Sequence, residues 1–194
     1  MEWVLATGNP GKRREMESLL APLGVRLRLP AEFGAAFAPD ETGATFAANA
    51  RLKAEAALAL TGLPALADDS GLEVAALNGA PGVFSARYGG AGLSAAARNE
   101  RLLAALAGQT DRAARFVCAL ICLFPDRRAL TAEGVCEGEI ALAPRGAGGF
   151  GYDPLFYLPK YKKTMAELSD GEKNEISHRG LAVRALLRQW AAAP

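Results

Sequence analysis

The chain has little of what would reveal a partner from bulk properties alone. It contains one histidine, His178, and three cysteines in 194 residues. Cys118, Cys122 and Cys136 lack a metal-binding spacing. Two of them sit inside the apolar run Val117–Phe124, where cysteine reads as a small buried hydrophobe. An odd count with no secretion signal fits a reducing compartment. No excess of either charge is present: the formal net charge is +1. That removes any global attraction to a nucleic-acid polymer or a membrane, so an anion site must be a local cluster. No apolar run approaches the ~18 residues of a membrane span. Met1-Glu2-Trp3-Val4-Leu5 lacks the basic-then-apolar layout of a signal peptide. The expectation is a soluble, cytoplasmic protein.

What is present suits one domain spanning 1–194 without a linker. The 51% hydrophobic content is enough for a sizeable core, and the 22% charged fraction is ordinary for a globule. Trp3–Ala6 reads as a first strand. Met16, Leu19, Leu20 and Leu23 form a helical stripe that Gly24 stops. Val25–Leu29 reads as a second strand and Pro30–Pro39 as a loop. Thr45 opens a helix to about Leu60, ended by Gly62, and Leu63–Ala67 is a strand. Ser94 to about Leu106 is helical. Arg115–Phe124 and Ala129–Val135 pair across Pro125–Arg128, with Glu137–Ala143 extending the sheet. Leu155–Leu158 is a strand and Thr164–Leu168 a helical turn. Val183, Leu186, Leu187 and Trp190 mark a packed final helix. Strands and helices alternate first and strands then cluster, which gives an α/β fold with a mixed β-sheet flanked by helices.

Three stretches carry chemistry. Ala67-Asp68-Asp69-Ser70-Gly71 reads as the end of a buried strand, with Gly71 as the turn leaving it. Two carboxylates there repel unless a cation, proton or donor separates them, and a hard cation such as Mg²⁺ takes oxygen ligands. The plainer reading is a solvated, capped turn. Thr7-Gly8-Asn9-Pro10-Gly11-Lys12 lies between strand and helix. Its amides make an anion site with Lys12 beside it; the plainer reading is Asn9 as helix cap with Pro10 at the first position, and both can hold, since phosphate can use the amides the cap leaves free. It is not a Walker A loop, because Ala6 and Arg13 stand where that motif wants Gly and Ser or Thr. Gly148–Pro154 frames Phe150, Tyr152 and Asp153 with glycines, which suits a stacked planar ligand or a hairpin with one aromatic plugging the core. Gly146, Gly148 and Gly151 match a dinucleotide fingerprint formally, but no helix is expected after them. Asn49 and Lys53 share a helix face. Asp40 and Glu41 form an acidic turn. His178, flanked by Ser177, Arg179 and Gly180 near a helix start, does not look buried.

Together these parts resemble the inosine triphosphate pyrophosphatase family, the Ham1/RdgB-like pyrophosphatases of non-canonical purine triphosphates. The matching stretches are ATGNPGK (6–12), DETGATFAANARLKA (40–54), ADDSGLEV (67–74), GAPGVFSARYGG (79–90), GGFGYDP (148–154) and EKNEISHRG (172–180). They span nearly the whole chain in the family's order. Two positions depart from it: Ala48, where Glu is usual, and Asp40, where Glu is common.

The resemblance implies an elongated subunit of two lobes with a central cleft, and a homodimer. It implies Mg²⁺-dependent hydrolysis of ITP, dITP and XTP to monophosphate and pyrophosphate. Asp69 would be the general base and a metal contact, with Asp68, Asp40 and Glu41 completing the metal's surroundings. Thr7, Gly8, Asn9, Pro10, Gly11 and Lys12 would hold the triphosphate, with Lys53 and Ser70 nearby. Phe150 would stack on the purine, with Gly151, Tyr152 and Asp153 shaping its pocket. Lys173, His178 and Arg179 would read the base edge. Their donors suit a 6-oxo group and would be left unpaired by adenine's 6-amino group. Rejection of guanine must come from the 2-position. The alternatives are a Maf-like pyrophosphatase of other preference and a non-catalytic nucleotide-binding module.

Overall fold

The computed structural model describes residues 1–34 and 37–192. Its strands are β1 (Glu2–Leu5), β2 (Arg26–Arg28), β3 (Ala65–Val74), β4 (Ala113–Leu123), β5 (Ala129–Ile140), β6 (Phe156–Leu158) and β7 (Lys163–Thr164). The α-helices are α1 (Pro10–Leu20), α2 (Phe46–Thr61), α3 (Ala95–Ala105), α4 (Asp170–Ile176) and α5 (His178–Ala192). The strands form one seven-stranded sheet in the order β2-β1-β3-β4-β5-β6-β7. β1 is parallel to β2 and β3, with Trp3 opposite Leu27 and Leu5 opposite Leu66. β6 is antiparallel to β5 and β7, so the sheet is mixed as expected.

The chain divides into two compact units: residues 1–69, 118–134 and 178–194, and residues 70–117 and 135–177. In the first unit strand alternation sorts the core. Trp3, Leu5, Leu66, Cys118, Leu120 and Cys122 pack with Met16 and Leu20 of α1 and Val183 and Leu186 of α5. Val4, Ala65, Ala67, Ile121 and Leu123 pack with Ala50, Ala54 and Ala57 of α2. The α2 stripe is all alanine at i, i+4, i+7, so a thin face lets that helix approach the strands closely. The strands are covered on both faces, which explains their continuous apolar character. The second unit has its own core, built on Leu72, Leu102, Phe116, Ile140, Tyr152, Phe156 and Met165.

Two local expectations change. Gly71 is not a turn: β3 runs through it to Val74, and Leu72 is fully buried. Buried ladder partners outweigh glycine's weak strand preference here. The strand expected over Ala129–Val135 runs on to Ile140, so Glu137–Ile140 extends the sheet as the end of a single long β5. In the expected loop Pro30–Pro39, Pro30–Phe33 forms a 3-10 turn, and residues 35 and 36 lie outside the described residues. Among the described residues no helix is long and apolar enough to cross a membrane. The three cysteines are free and buried, as the apolar run implied for Cys118 and Cys122.

Candidate active site

Neighbouring residues of a strand face opposite sides of a sheet. In β3, Asp68 therefore shares Leu66's side, towards α1 and α5, while Asp69 shares Ala67's side, towards α2. Both are buried, with 1% and 6% of their surface exposed.

Asp68 is held by two cations. Its Oδ2 lies 3.0 Å from Lys12 Nζ and 3.1 Å from Arg179 Nη2. Arg179, 1% exposed, is held in turn by Glu15 Oε2 at 2.5 Å from Nη1. Burial alone would raise the Asp68 carboxyl, but Lys12 and Arg179 overcome it and hold the group well below the usual carboxylate range. Burial opposes the charge on Arg179, yet Asp68 and Glu15 raise its pKa above the ordinary value. The Cys118 thiol, 4.0 Å from the same Asp68 oxygen, is pushed up to about 12, by burial first and by Asp68 second. It is a buried thiol, not a nucleophile.

Asp69 meets the buried face of α2. Lys53 Nζ lies 3.0 Å from Asp69 Oδ1 and 3.0 Å from Glu41 Oε1, so one ammonium joins two carboxylates. Asn49 Nδ2 donates to the other Asp69 oxygen at 3.2 Å. The i, i+4 spacing of Asn49 and Lys53 places both on that carboxylate. Burial opposes the Lys53 charge, but Asp68, Asp69 and Glu41 raise its pKa above the ordinary value. Thr45 caps α2 by accepting from the Ala48 amide, and Asn49 Oδ1 accepts from the Gly43 amide at 2.7 Å. A Cβ at Gly43 would lie 2.7 Å from both Ala48 Cβ and Asn49 Oδ1, so only glycine lets this turn lie against the helix start. The turn carries Glu41 to Lys53.

The structure does not bring Asp40, Glu41, Asp68 and Asp69 together as one ligand group. Among the described residues no three His, Cys, Asp or Glu side chains are grouped to hold a metal ion. The physical reason is the alternation along β3, which separates the two aspartates, while Asp40 is exposed.

At the start of α1, the capping alternative is realised. Asn9 Oδ1 accepts from the amides of Gly11 at 2.8 Å and Lys12 at 3.2 Å, and Arg13 N donates to Asn9 O. Pro10 has no N–H to offer. Asn9 N donates to Thr7 Oγ1 at 3.1 Å. The first-turn amides thus have partners within the turn, and Lys12 contributes through its side chain. Gly8 is exposed, and Ser70 follows Asp69 half-buried in β3.

In the second unit, Phe150 is half-buried and Lys173 Nζ sits 4.8 Å from its ring centroid, a cation–π contact. Lys173 is 4% exposed and lies 2.5 Å from Asp153 Oδ2. The same oxygen accepts from the Phe150 amide at 2.8 Å. A Cβ at Gly149, where φ is +68°, would fall on the Asp153 carboxylate. Tyr152 is buried, its hydroxyl donates to Ser85 O at 2.9 Å, and burial pushes its phenol up to about 12. Tyr152 is therefore the core plug of this loop, and Phe150 is the ring that Lys173 faces.

The expectation for His178 is corrected: it is 5% exposed at the start of α5. Gly134 of β5 lies against this turn, where a Cβ would fall on the His178 carbonyl. Arg179 is found with Asp68 and Glu15. Sequence reading missed Glu15, Asn49 and Ser85 as site residues. Glu15 stands one helical turn after Lys12, the only signal that pointed to it.

A model of the Ham1 family matches residues 3–189 of the chain. A dITP/XTP pyrophosphatase of Thermus thermophilus is 55% identical, covering 100% of this chain and 94% of that protein. One from Exiguobacterium sp. is 52% identical, covering 96% and 95%. Among solved structures, a HAM1 protein from Coxiella burnetii superposes with a TM-score of 0.90 at 48% identity, covering 100% of each chain. The Staphylococcus aureus Ham1 protein gives 0.89 at 43% identity, covering 99% of each.

Proposed function

Because the chain belongs to the Ham1 family, we propose that it hydrolyses non-canonical purine nucleoside triphosphates, dITP, ITP and XTP, to the monophosphate and pyrophosphate. The observation that carries the reading is the pair of carboxylates, Asp69 and Glu41, joined by Lys53 at 3.0 Å to each. All the acceptors there are oxygens, which suits a hard divalent cation of the Mg²⁺ type. Such an ion is commonly held by one or two carboxylates and substrate phosphates, so a three-acid cluster is not required. Asp69 and Glu41 are the residues that would hold it. When bound it neutralises charge on the phosphates and favours attack at phosphorus.

The chain's own residues do the rest. Asp69 takes the proton of the attacking water, and Asn49 and Lys53 fix the direction of its two oxygens. Lys53 and Lys12 put positive charge on the triphosphate, with Thr7, Gly8, Asn9, Pro10, Gly11 and Ser70 around it. Asp68 holds Lys12 in place, and Arg179 fixes Asp68. Phe150 stacks on the purine, and Lys173, oriented by Asp153, donates to its 6-oxo group. Gly151 and Tyr152 shape that pocket, and His178 keeps the base-reading role that the resemblance implies. The resemblance also supports a homodimer at work in the cytoplasm, with Mg²⁺ as the metal. The near-neutral charge supports a small nucleotide as the partner, with neither nucleic-acid polymer nor membrane.

The test is to incubate the protein with ITP, GTP and ATP plus Mg²⁺ and follow pyrophosphate and orthophosphate release. Pyrophosphate release from ITP far above that from GTP or ATP is expected. Asp69→Asn should lower kcat by about 10²-fold or more, the weight of a general base. Orthophosphate without pyrophosphate, equal rates on the three nucleotides, or full activity in Asp69→Asn would overturn the reading.

A further inference from the structure

On α3 stands a buried asparagine that none of these roles uses. Asn99 is 7% exposed and lies one turn before Leu102, on the face that packs into the second unit's core. Its Nδ2 donates to the Gly151 carbonyl at 3.2 Å. Its Oδ1 is buried without a hydrogen-bond partner among the described residues. A half-satisfied amide in a core is a poor choice for stability, since an apolar side chain of that size would leave no acceptor unmet. Its value must therefore come from the bond it does make.

That bond fixes a flexible segment. Gly148, Gly149 and Gly151 leave the backbone around Phe150 little intrinsic preference. Three contacts supply it. The Phe150 amide donates to Asp153, the Gly151 carbonyl accepts from Asn99, and the Tyr152 hydroxyl donates to the Ser85 carbonyl. Ser85 is itself fixed: its Oγ accepts from Leu72 N at 2.9 Å and donates to Gly82 O at 2.7 Å. Asp153 holds the loop before the ring and Asn99 immediately after it. Gly151 sits at φ +64°, so the direction of its carbonyl sets where the chain leaves Phe150.

We propose that Asn99 is a positioning residue for base recognition: by holding the Gly151 carbonyl it presets the Phe150 ring for the purine. This rests on reading the Phe150 loop as the base site. Preorganisation of this kind acts on binding of the base and leaves the reacting phosphates alone.

Asn99→Leu and Asn99→Ala both remove the donor, the second without adding bulk. Binding of inosine monophosphate by calorimetry should weaken about tenfold, with a matching rise in KM for ITP. At saturating ITP, kcat should stay within about threefold, because the phosphate end is untouched. Inhibition by inorganic tripolyphosphate, a probe with no base, should be unchanged. Asn99→Leu should melt at or above the wild-type temperature, the opposite of what a merely structural residue would give. The proposal is overturned by variants that bind inosine monophosphate like the wild type, by tripolyphosphate weakening in step, or by failure of both variants to fold. Wild-type protein that neither binds inosine monophosphate nor cleaves ITP would instead bring down the base-site reading, and that is visible before any variant is made.

Discussion

Asp68 and Asp69 are covalent neighbours with different ion-pair partners, although the charge of Lys53 acts on both. Asp69 shares Lys53 with Glu41, while Asp68 neutralises Lys12 and a fully buried guanidinium. Removing the charge of Asp68 takes the carboxylate from Lys12 and one of the carboxylates from the buried Arg179, and breaking such a buried pair typically costs about 3–5 kcal/mol. Asp68→Asn should therefore lower stability by about 3 kcal/mol in urea titrations at neutral pH. The folded-state pKa of Asp68 is depressed, so its contribution is whole above the unfolded value near ~3.9 and fades as pH falls below it. The gap between wild type and Asp68→Asn should thus be constant above about pH 5 and close progressively below about pH 4. A gap that stays constant down to acid pH would show that Asp68 contributes shape rather than charge. Lys53 behaves oppositely: its raised pKa keeps it cationic up to and beyond its ordinary value, so its ion pairs persist through any neutral or mildly alkaline assay. Lys53→Met should cost catalysis across that whole range.

At the scale of elements, much is readable from local pattern. Asn9 with Pro10 marks the start of α1, Thr45 and Gly62 bracket α2, and the Val183–Trp190 stripe marks α5. The length of β3 is not readable, because a glycine and two acids inside a buried strand look locally like a turn. Only the partners from α1, α2 and α5 make that strand tolerable. The same holds for His178, whose polar neighbours hide its burial. The pairing of Lys173 with Asp153, and of Arg179 with Glu15, joins stretches far apart in the chain, and no local pattern encodes it. The opposite facing of Asp68 and Asp69 is available from strand period alone. Element geometry also separates two kinds of glycine. Gly62 and Gly149 both have positive φ, at +69° and +68°, but a Cβ at Gly62 meets nothing within 4 Å whereas one at Gly149 strikes Asp153. Gly62→Ala should cost about 1 kcal/mol in stability and leave KM for ITP alone. Gly149→Ala should carry the same backbone strain and also raise KM by about tenfold or more, because Asp153 orients both the Phe150 amide and Lys173. Equal KM values in the two variants would remove Asp153 from base binding.

For the molecule as a whole, a net charge of +1 gives no general pull on a nucleotide, so recognition depends on local balance. Around Asp68 and Asp69, the cations Lys12, Lys53 and Arg179 face the carboxylates Glu15, Glu41, Asp68 and Asp69. Each of these cations is already paired with a carboxylate, so none offers uncompensated charge to a phosphate. A triphosphate, itself multiply negative, would be repelled there unless it arrived with a cation of its own. The protein should therefore bind tripolyphosphate only together with Mg²⁺. A ligand that binds the folded chain alone stabilises it by about 2.7 kcal/mol at a hundred times its Kd. For a chain of this size each kcal/mol moves the melting temperature by roughly 2–4 °C. A shift of several degrees is expected with Mg²⁺ and saturating tripolyphosphate, and none with tripolyphosphate in EDTA. ITP hydrolysis should vanish in EDTA and return when Mg²⁺ is restored. An equal thermal shift with and without the metal would mean that phosphate itself releases Lys12 and Lys53 from their acids. The pairing of these cations with carboxylates would then not govern binding.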